Sequence, residues 1–234
     1  MYFPFHHFYQ SVSRNDFLGI SGAGWAALTA IATFLAVIIA LFQDWIRTQW
    51  NKANLNFKIN LIPPDCHKIQ MISIIDGRQR TFDVIYLRIL VTHLSGNPAE
   101  NVEVMLTNFW QIRDDRTKEP VAHFLPMNLV WSHFQPRTHI MRVPAGLFRH
   151  CDFGFVANTG DGSILKLDTI VQPNKVEGGE VPNVIKPGKY QFELLVSGDN
   201  VKPKKKIFYL ELDKNWSDNE TEMLQKYIKI SELL

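Results

Sequence analysis

Val84-Ile-Tyr-Leu-Arg-Ile-Leu-Val-Thr-His93 decides the fold: Ile85, Leu87, Ile89 and Val91 fall on one side, Tyr86, Arg88 and Leu90 on the other. A period of two marks a strand with one face on a core. It predicts a buried Leu87 and a solvent-facing Arg88. Upstream, Leu55, Phe57, Ile59 and Leu61 alternate with Asn56, Lys58 and Asn60, and Pro63-Pro64 ends that run. Ile69 to Ile75 follows, closed by Asp76-Gly77. Downstream, Glu100 to Trp110 alternates through Val102, Val104 and Leu106. Shorter strands are expected at Leu129–His133, Ile140–Val143, Arg149–Val156 and Ser163–Val171. Two more are clear, one carrying Tyr190, Phe192, Leu194 and Val196, the other Phe208, Leu210 and Leu212. Turn signals at Gly96-Asn97-Pro98, Pro187-Gly188 and Gly198-Asp199-Asn200 separate them. Many short strands so punctuated make an antiparallel sandwich or barrel.

The two ends of the chain read differently. Phe17 to Gln43 carry no charged residue. Trp25 to Trp45 is long enough to cross a hydrocarbon core, which takes about 20 helical residues, and Trp at each end suits the water–lipid boundary. A cleaved signal sequence is disfavoured by the length of the run and by a leading segment whose only charges are Arg14 and Asp16. Arg47, Lys52 and Lys58 after the run, against Arg14 before it, predict a cytoplasmic C-terminal part and a cell (inner) membrane location. At the other end, Ser217 and Glu220 have capping-box spacing, and Met223, Leu224, Tyr227 and Ile228 form an apolar face. That predicts a helix over Asp218–Leu233, packed on the sandwich rather than on a partner. The expected division is 1–20 as a short N-terminal segment, 21–50 as transmembrane helix with its extension, 51–214 as sandwich and 215–234 as C-terminal helix. The expected fold class is mainly β: one transmembrane α-helix, an antiparallel β-sandwich and a C-terminal α-helix.

A resemblance narrows the kind of sandwich expected. Tyr86-Leu-Arg-Ile-Leu-Val-Thr-His93, then Gly96-Asn-Pro-Ala99 and Val102-Glu-Val104, resembles a pattern of immunoglobulin-like modules in membrane-anchored prokaryotic proteins. Lys186-Pro-Gly-Lys-Tyr190-Gln-Phe192 is similar to their penultimate strand. The resemblance implies that Tyr190 takes the tyrosine-corner place, with Phe192 where antibody domains carry a cysteine. It spans residues 80–212, carries over no catalytic residue, and departs from the pattern in lacking a cysteine pair at that spacing.

Twenty-five Lys and Arg against 23 Asp and Glu leave a net charge of +2, too small a footprint to predict specific nucleic-acid binding. Cys66-His67 and His150-Cys151 offer thiolate and imidazole, but neighbours on a strand point to opposite faces and metal-ligand spacing is missing. No phosphate-cradling, dinucleotide, zinc-protease or nucleophile-elbow motif occurs. The sequence therefore predicts no enzyme, no metal and no cofactor. His133, Arg137, His139, Arg142 and Arg149, with His123 and His150 nearby, are the candidates for an anionic ligand, though polar alternation is also what a solvated strand face needs. Lys202 and Lys204-Lys205-Lys206 read as an edge guard or as a lipid- or phosphate-attracting tip. Gly22, Ala26 and Ala30, and likewise Ala32, Ala36 and Ala40, recur at four-residue spacing, which lets helix backbones approach. Val37 is expected on a neighbouring face. The first reading is a single-pass, non-enzymatic binding module that engages a protein partner. The alternative is a membrane sensor-effector that binds a small anionic, nucleotide-like ligand and acts through oligomerisation of the helix. Expected partners are the lipid bilayer, a protein and a second copy as homo-oligomer.

Overall fold

The computed structural model describes residues 22–50, 52–75, 77–171 and 181–233. The N-terminal segment 1–20 and Asp76 of the expected turn lie outside them. The chain divides into two units, Met1–Trp50 and Asn51–Leu234.

The first unit holds helix α1, Gly22–Trp50. Its Gly22–Gln43 part has a mean hydropathy of 2.4, and none of its most apolar stretch is buried. By length and composition it can cross a membrane. The hydroxyls within Gly22–Gln43 turn inward on the helix: Thr29 Oγ1 donates to the Trp25 carbonyl at 2.9 Å and Thr33 Oγ1 to that of Thr29 at 2.8 Å. Such back-bonding leaves the outer surface apolar.

The second unit consists of β1 (Asn54–Lys58), β2 (His67–Ile75), β3 (Arg78–Ser95), β4 (Ala99–Ile112), β5 (Lys118–Pro120), β6 (Met127–Asn128), β7 (Val130–Trp131), β8 (Met141–Val143), β9 (Phe148–Asn158), β10 (Ser163–Leu167), β11 (Val184–Ile185), β12 (Gly188–Ser197), β13 (Lys204–Leu212) and β14 (Ile228–Leu233). One sheet runs β1-β3-β9-β10-β11, with β2 also on β3 and β7 on β9. The other runs β14-β13-β12-β4-β5, with β6 and β8 also on β4. Adjacent strands pair antiparallel. The alternating residues read from the sequence are the core: Ile85, Leu87, Ile89 and Val91 of the first sheet, and Val102, Val104, Leu106, Phe192, Leu194 and Leu210 of the second, are fully buried. Phe153 of β9 stacks on Phe192 of β12 at 4.8 Å, and Phe192 on Phe208 at 5.3 Å, so an aromatic column joins the sheets. The Tyr190 hydroxyl donates to the carbonyl of Lys186, four residues upstream, at 2.9 Å.

The C-terminal segment departs from the expected Asp218–Leu233 helix. Only Glu220–Tyr227 is helical, an α-turn over Glu220–Glu222 continued as a π-turn over Met223–Tyr227. Ile228–Leu233 is then a strand, running antiparallel to β13 from Leu212↔Ile228 to Ile207↔Leu233. Ile228 and Ile230 alternate with Lys229 and Ser231, and the open side of β13 supplies the backbone partners. The cap is Asn219, whose Oδ1 accepts from Glu222 N at 3.0 Å, while Ser217 Oγ donates to the Glu222 carboxylate at 2.7 Å. Met223, Leu224 and Ile228 join the same core as β3 and β12. The expected boundary at 214/215 therefore does not divide the sandwich from its tail.

Candidate functional site

Arg88 is the chief surprise of β3. Alternation points it away from the core, as expected, yet it is only 8% exposed. Asp65 and Cys66, in the β1–β2 connection, and Ser132, just after β7, are also buried. The outer face is therefore covered here. The partner is Asp152, whose Oδ1 accepts from Arg88 Nε at 3.2 Å and from Ser132 Oγ at 2.5 Å. A bulge makes the pair. Leu87 faces Gly154 but Arg88 faces Asp152, so Phe153 is the extra residue, sent inward to the aromatic column while Asp152 is aimed outward. Gly154 is needed beside it: at φ +156 a Cβ there would stand 2.3 Å from the Lys166 carbonyl oxygen.

Two further pairs extend the outer face. The Tyr86 hydroxyl donates to Asp168 Oδ2 at 2.8 Å, and Arg137 donates to the other oxygen of Asp168 and to the Thr169 carbonyl. His150 Nε2 lies 2.8 Å from Asp65 Oδ1, while Asn60 donates to the second oxygen of that carboxylate. Burial raises the carboxyl of Asp152 above its ordinary value, opposed by the Ser132 hydrogen bond and the Arg88 charge. Burial also pushes the Cys66 thiol up to about 11 and the Cys151 thiol well above its usual value. Both thiols are thus held protonated at neutral pH, the unreactive form. Each carboxylate of the cluster is engaged by neighbouring side chains, so chemically the arrangement staples the loops to the sheet. Among the described residues no three His, Cys, Asp or Glu side chains are grouped to hold a metal ion.

The residues picked out from the sequence scatter. Arg137 closes on Asp168 as above. Arg142 is paired with Glu100 at 2.8 Å. His133, at φ 65, is exposed on a turn, and His139 uses its carbonyl to accept from Trp131 Nε1 at 3.0 Å. His123 is exposed. Arg149 is half-buried, with its Nε unpartnered. Arg88, Asp152, Tyr86 and Asp168 escaped the sequence reading; an Arg and an Asp inside the apolar runs of Tyr86–Val91 and Cys151–Val156 were the available signal. On α1, a furrow runs past Ala26, Thr29, Ala30, Thr33, Phe34 and Val37. Val37 thus lines the furrow beside the Ala26–Ala30 ridge, while Ala32, Ala36 and Ala40 do not.

A second feature lies at the edge of the first sheet. β9 pairs with β3 only over Val84–Thr92, and β1 only over Leu90–Ser95. Residues 70–75 and 78–83 are therefore a two-stranded ribbon, paired from Gln70↔Asp83 to Ile75↔Arg78. Its base is fixed by Lys68, whose Nζ meets Asp83 at 2.7 Å and whose backbone N–H donates to Glu220 at 3.0 Å. Farther out, Ile72 is 62% exposed, and Arg78 and Arg80 are exposed on the opposite strand. The outer side of β2 has no strand beside it among the described residues. No protein-family model and no curated protein matches this chain.

Proposed function

We propose that this is a single-pass membrane protein whose immunoglobulin-like sandwich binds a protein partner and performs no catalysis. The observation that carries the reading is the β2–β3 ribbon. A two-stranded hairpin alone is marginal in water, and this one offers an open strand edge and an exposed Ile72. Adding a partner strand along β2 satisfies its free backbone groups, a common mode of peptide recognition. The polar cluster supports the non-catalytic part, because its side chains are engaged with one another and its thiols are held protonated. The apolar stretch of α1 supports the membrane part, and the Lys and Arg that follow it support a cytoplasmic sandwich at the inner membrane.

The test is photo-crosslinking of the full chain in its native membranes. A photoreactive residue in place of Ile72 should give a discrete protein adduct, and one in place of Asp161 should not. Equal labelling at both positions, or none at Ile72, would remove the ribbon as the binding edge.

A further inference from the structure

The end of the sandwich where the chain arrives from α1 is tightly built. Ala53 is fully buried, its N–H donates to the Asn200 carbonyl at 2.8 Å, and Lys202 N donates back to Ala53 at 3.1 Å. Gly96, at φ +94, passes so close that a Cβ would stand 2.3 Å from the Lys52 carbonyl oxygen. Asn200 also ties the β3–β4 turn, donating to the Pro98 carbonyl at 2.8 Å and accepting from Glu100 N at 2.9 Å. His93 completes the join: its N–H donates to the Leu147 carbonyl at 2.9 Å, and its Nδ1 accepts from Gly146 N at 3.3 Å. Four segments, 52–54, 94–98, 144–148 and 198–203, therefore form one surface.

That surface carries two kinds of group. Leu94, Leu147 and Phe148 are 56%, 47% and 56% exposed. Lys52 and Lys202 are exposed and have no ion-pair partner among the described residues, whereas the nearby Arg142 is paired with Glu100. Asp199 is the exposed carboxylate there, and it accepts from Asn101 at 2.6 Å. Apolar side chains with two such lysines beside them match an anionic lipid boundary, where insertion and charge attraction add. Connectivity argues for that occupant, since the apolar stretch ends at Gln43 and Ala53 follows it after the last helical turns of α1, a reach of at most about 21 Å.

We propose that this end of the sandwich rests on the anionic headgroup surface of the bilayer, an inference that depends on α1 being a membrane span. Cys66 and Cys151 are both buried, so a nitroxide can be placed selectively on Leu147→Cys, or on Asp161→Cys in the turn at the far end of β9. The full chain would be reconstituted in vesicles of phosphatidylcholine with or without phosphatidylserine. Relative to the probe at Asp161, the one at Leu147 should be severalfold more accessible to oxygen than to a water-soluble nickel chelate, and more so with phosphatidylserine. Lys52→Glu with Lys202→Glu should abolish that added protection. A Leu94→Cys probe should report the same. Equal nickel access at both ends of the sandwich, or indifference to phosphatidylserine and to the lysine changes, overturns the proposal. An alkaline carbonate wash separates the two readings. Protein released by the wash refutes the membrane span and this inference with it, while retained protein with a water-exposed Leu147 refutes only the inference.

Discussion

Leu87 and Arg88 are neighbours on one strand, nearly equally hidden from water, and hidden for opposite reasons. Leu87 is fully buried because the second sheet covers the inner face of the first. Arg88 is hidden because loops fold over the outer face and a bulge in β9 places Asp152 against it. The inner burial is apolar and tolerates imperfection in degrees. The outer one holds charge, which is stable out of water only while its partner is present.

The largest effect should come from breaking the outer pair. Arg88→Ala leaves Asp152 buried without its cation and should cost about 3–5 kcal/mol in urea unfolding, where loss of one partner of a buried pair usually falls. Replacing both, as Arg88→Met with Asp152→Leu, should recover most of that loss. If the double variant is no better than the single one, the pair does not act as a unit. Leu87→Ala should cost about 3 kcal/mol, as cavity-forming leucine truncations do, and no change at Asp152 should rescue it.

A pH series sharpens the contrast. Because burial raises the Asp152 carboxyl, the folded state holds that proton more tightly than the unfolded chain does. Its contribution to stability is therefore greatest at low pH and is lost as pH rises through the folded value. The stability difference between the unmodified protein and Asp152→Asn should thus shift against the unmodified protein as pH climbs from about 4, read from urea midpoints. A flat difference would mean that Arg88 offsets the burial in full. The smallest effect is expected at the exposed Arg142–Glu100 pair, where Arg142→Ala should stay within about 0.5 kcal/mol of no change.

This contrast also marks how far the sequence could be read. The inner face was legible because each strand carries its own alternation; Ile85 to Val91 and Tyr190 to Val196 needed no knowledge of the rest of the chain. The burial of Arg88 was not legible, because it depends on residues far away in sequence, Asp65, Ser132 and Asp152, and on a bulge that shifts register by one residue. The C-terminal segment failed for a local reason. Met223, Leu224, Tyr227 and Ile228 fit a helix face, while Ile228 and Ile230 fit an alternating strand, and the choice fell to the unpaired side of β13. The His and Arg candidates between 123 and 150 were legible as polar, but their scatter across separate loops and strands was not.

The join at Ala53 has a mechanical consequence. β1 begins one residue later and lies antiparallel to β3 from Asn54↔Ser95 to Lys58↔Leu90. Tension directed along β1 would load its hydrogen bonds to β3 together, in shear, rather than open them one after another. The bridge between Ala53 and Val201 carries part of the same load into the β12–β13 hairpin. Both sheets are thus gripped at the join, and under such a load β1 should not peel away by itself.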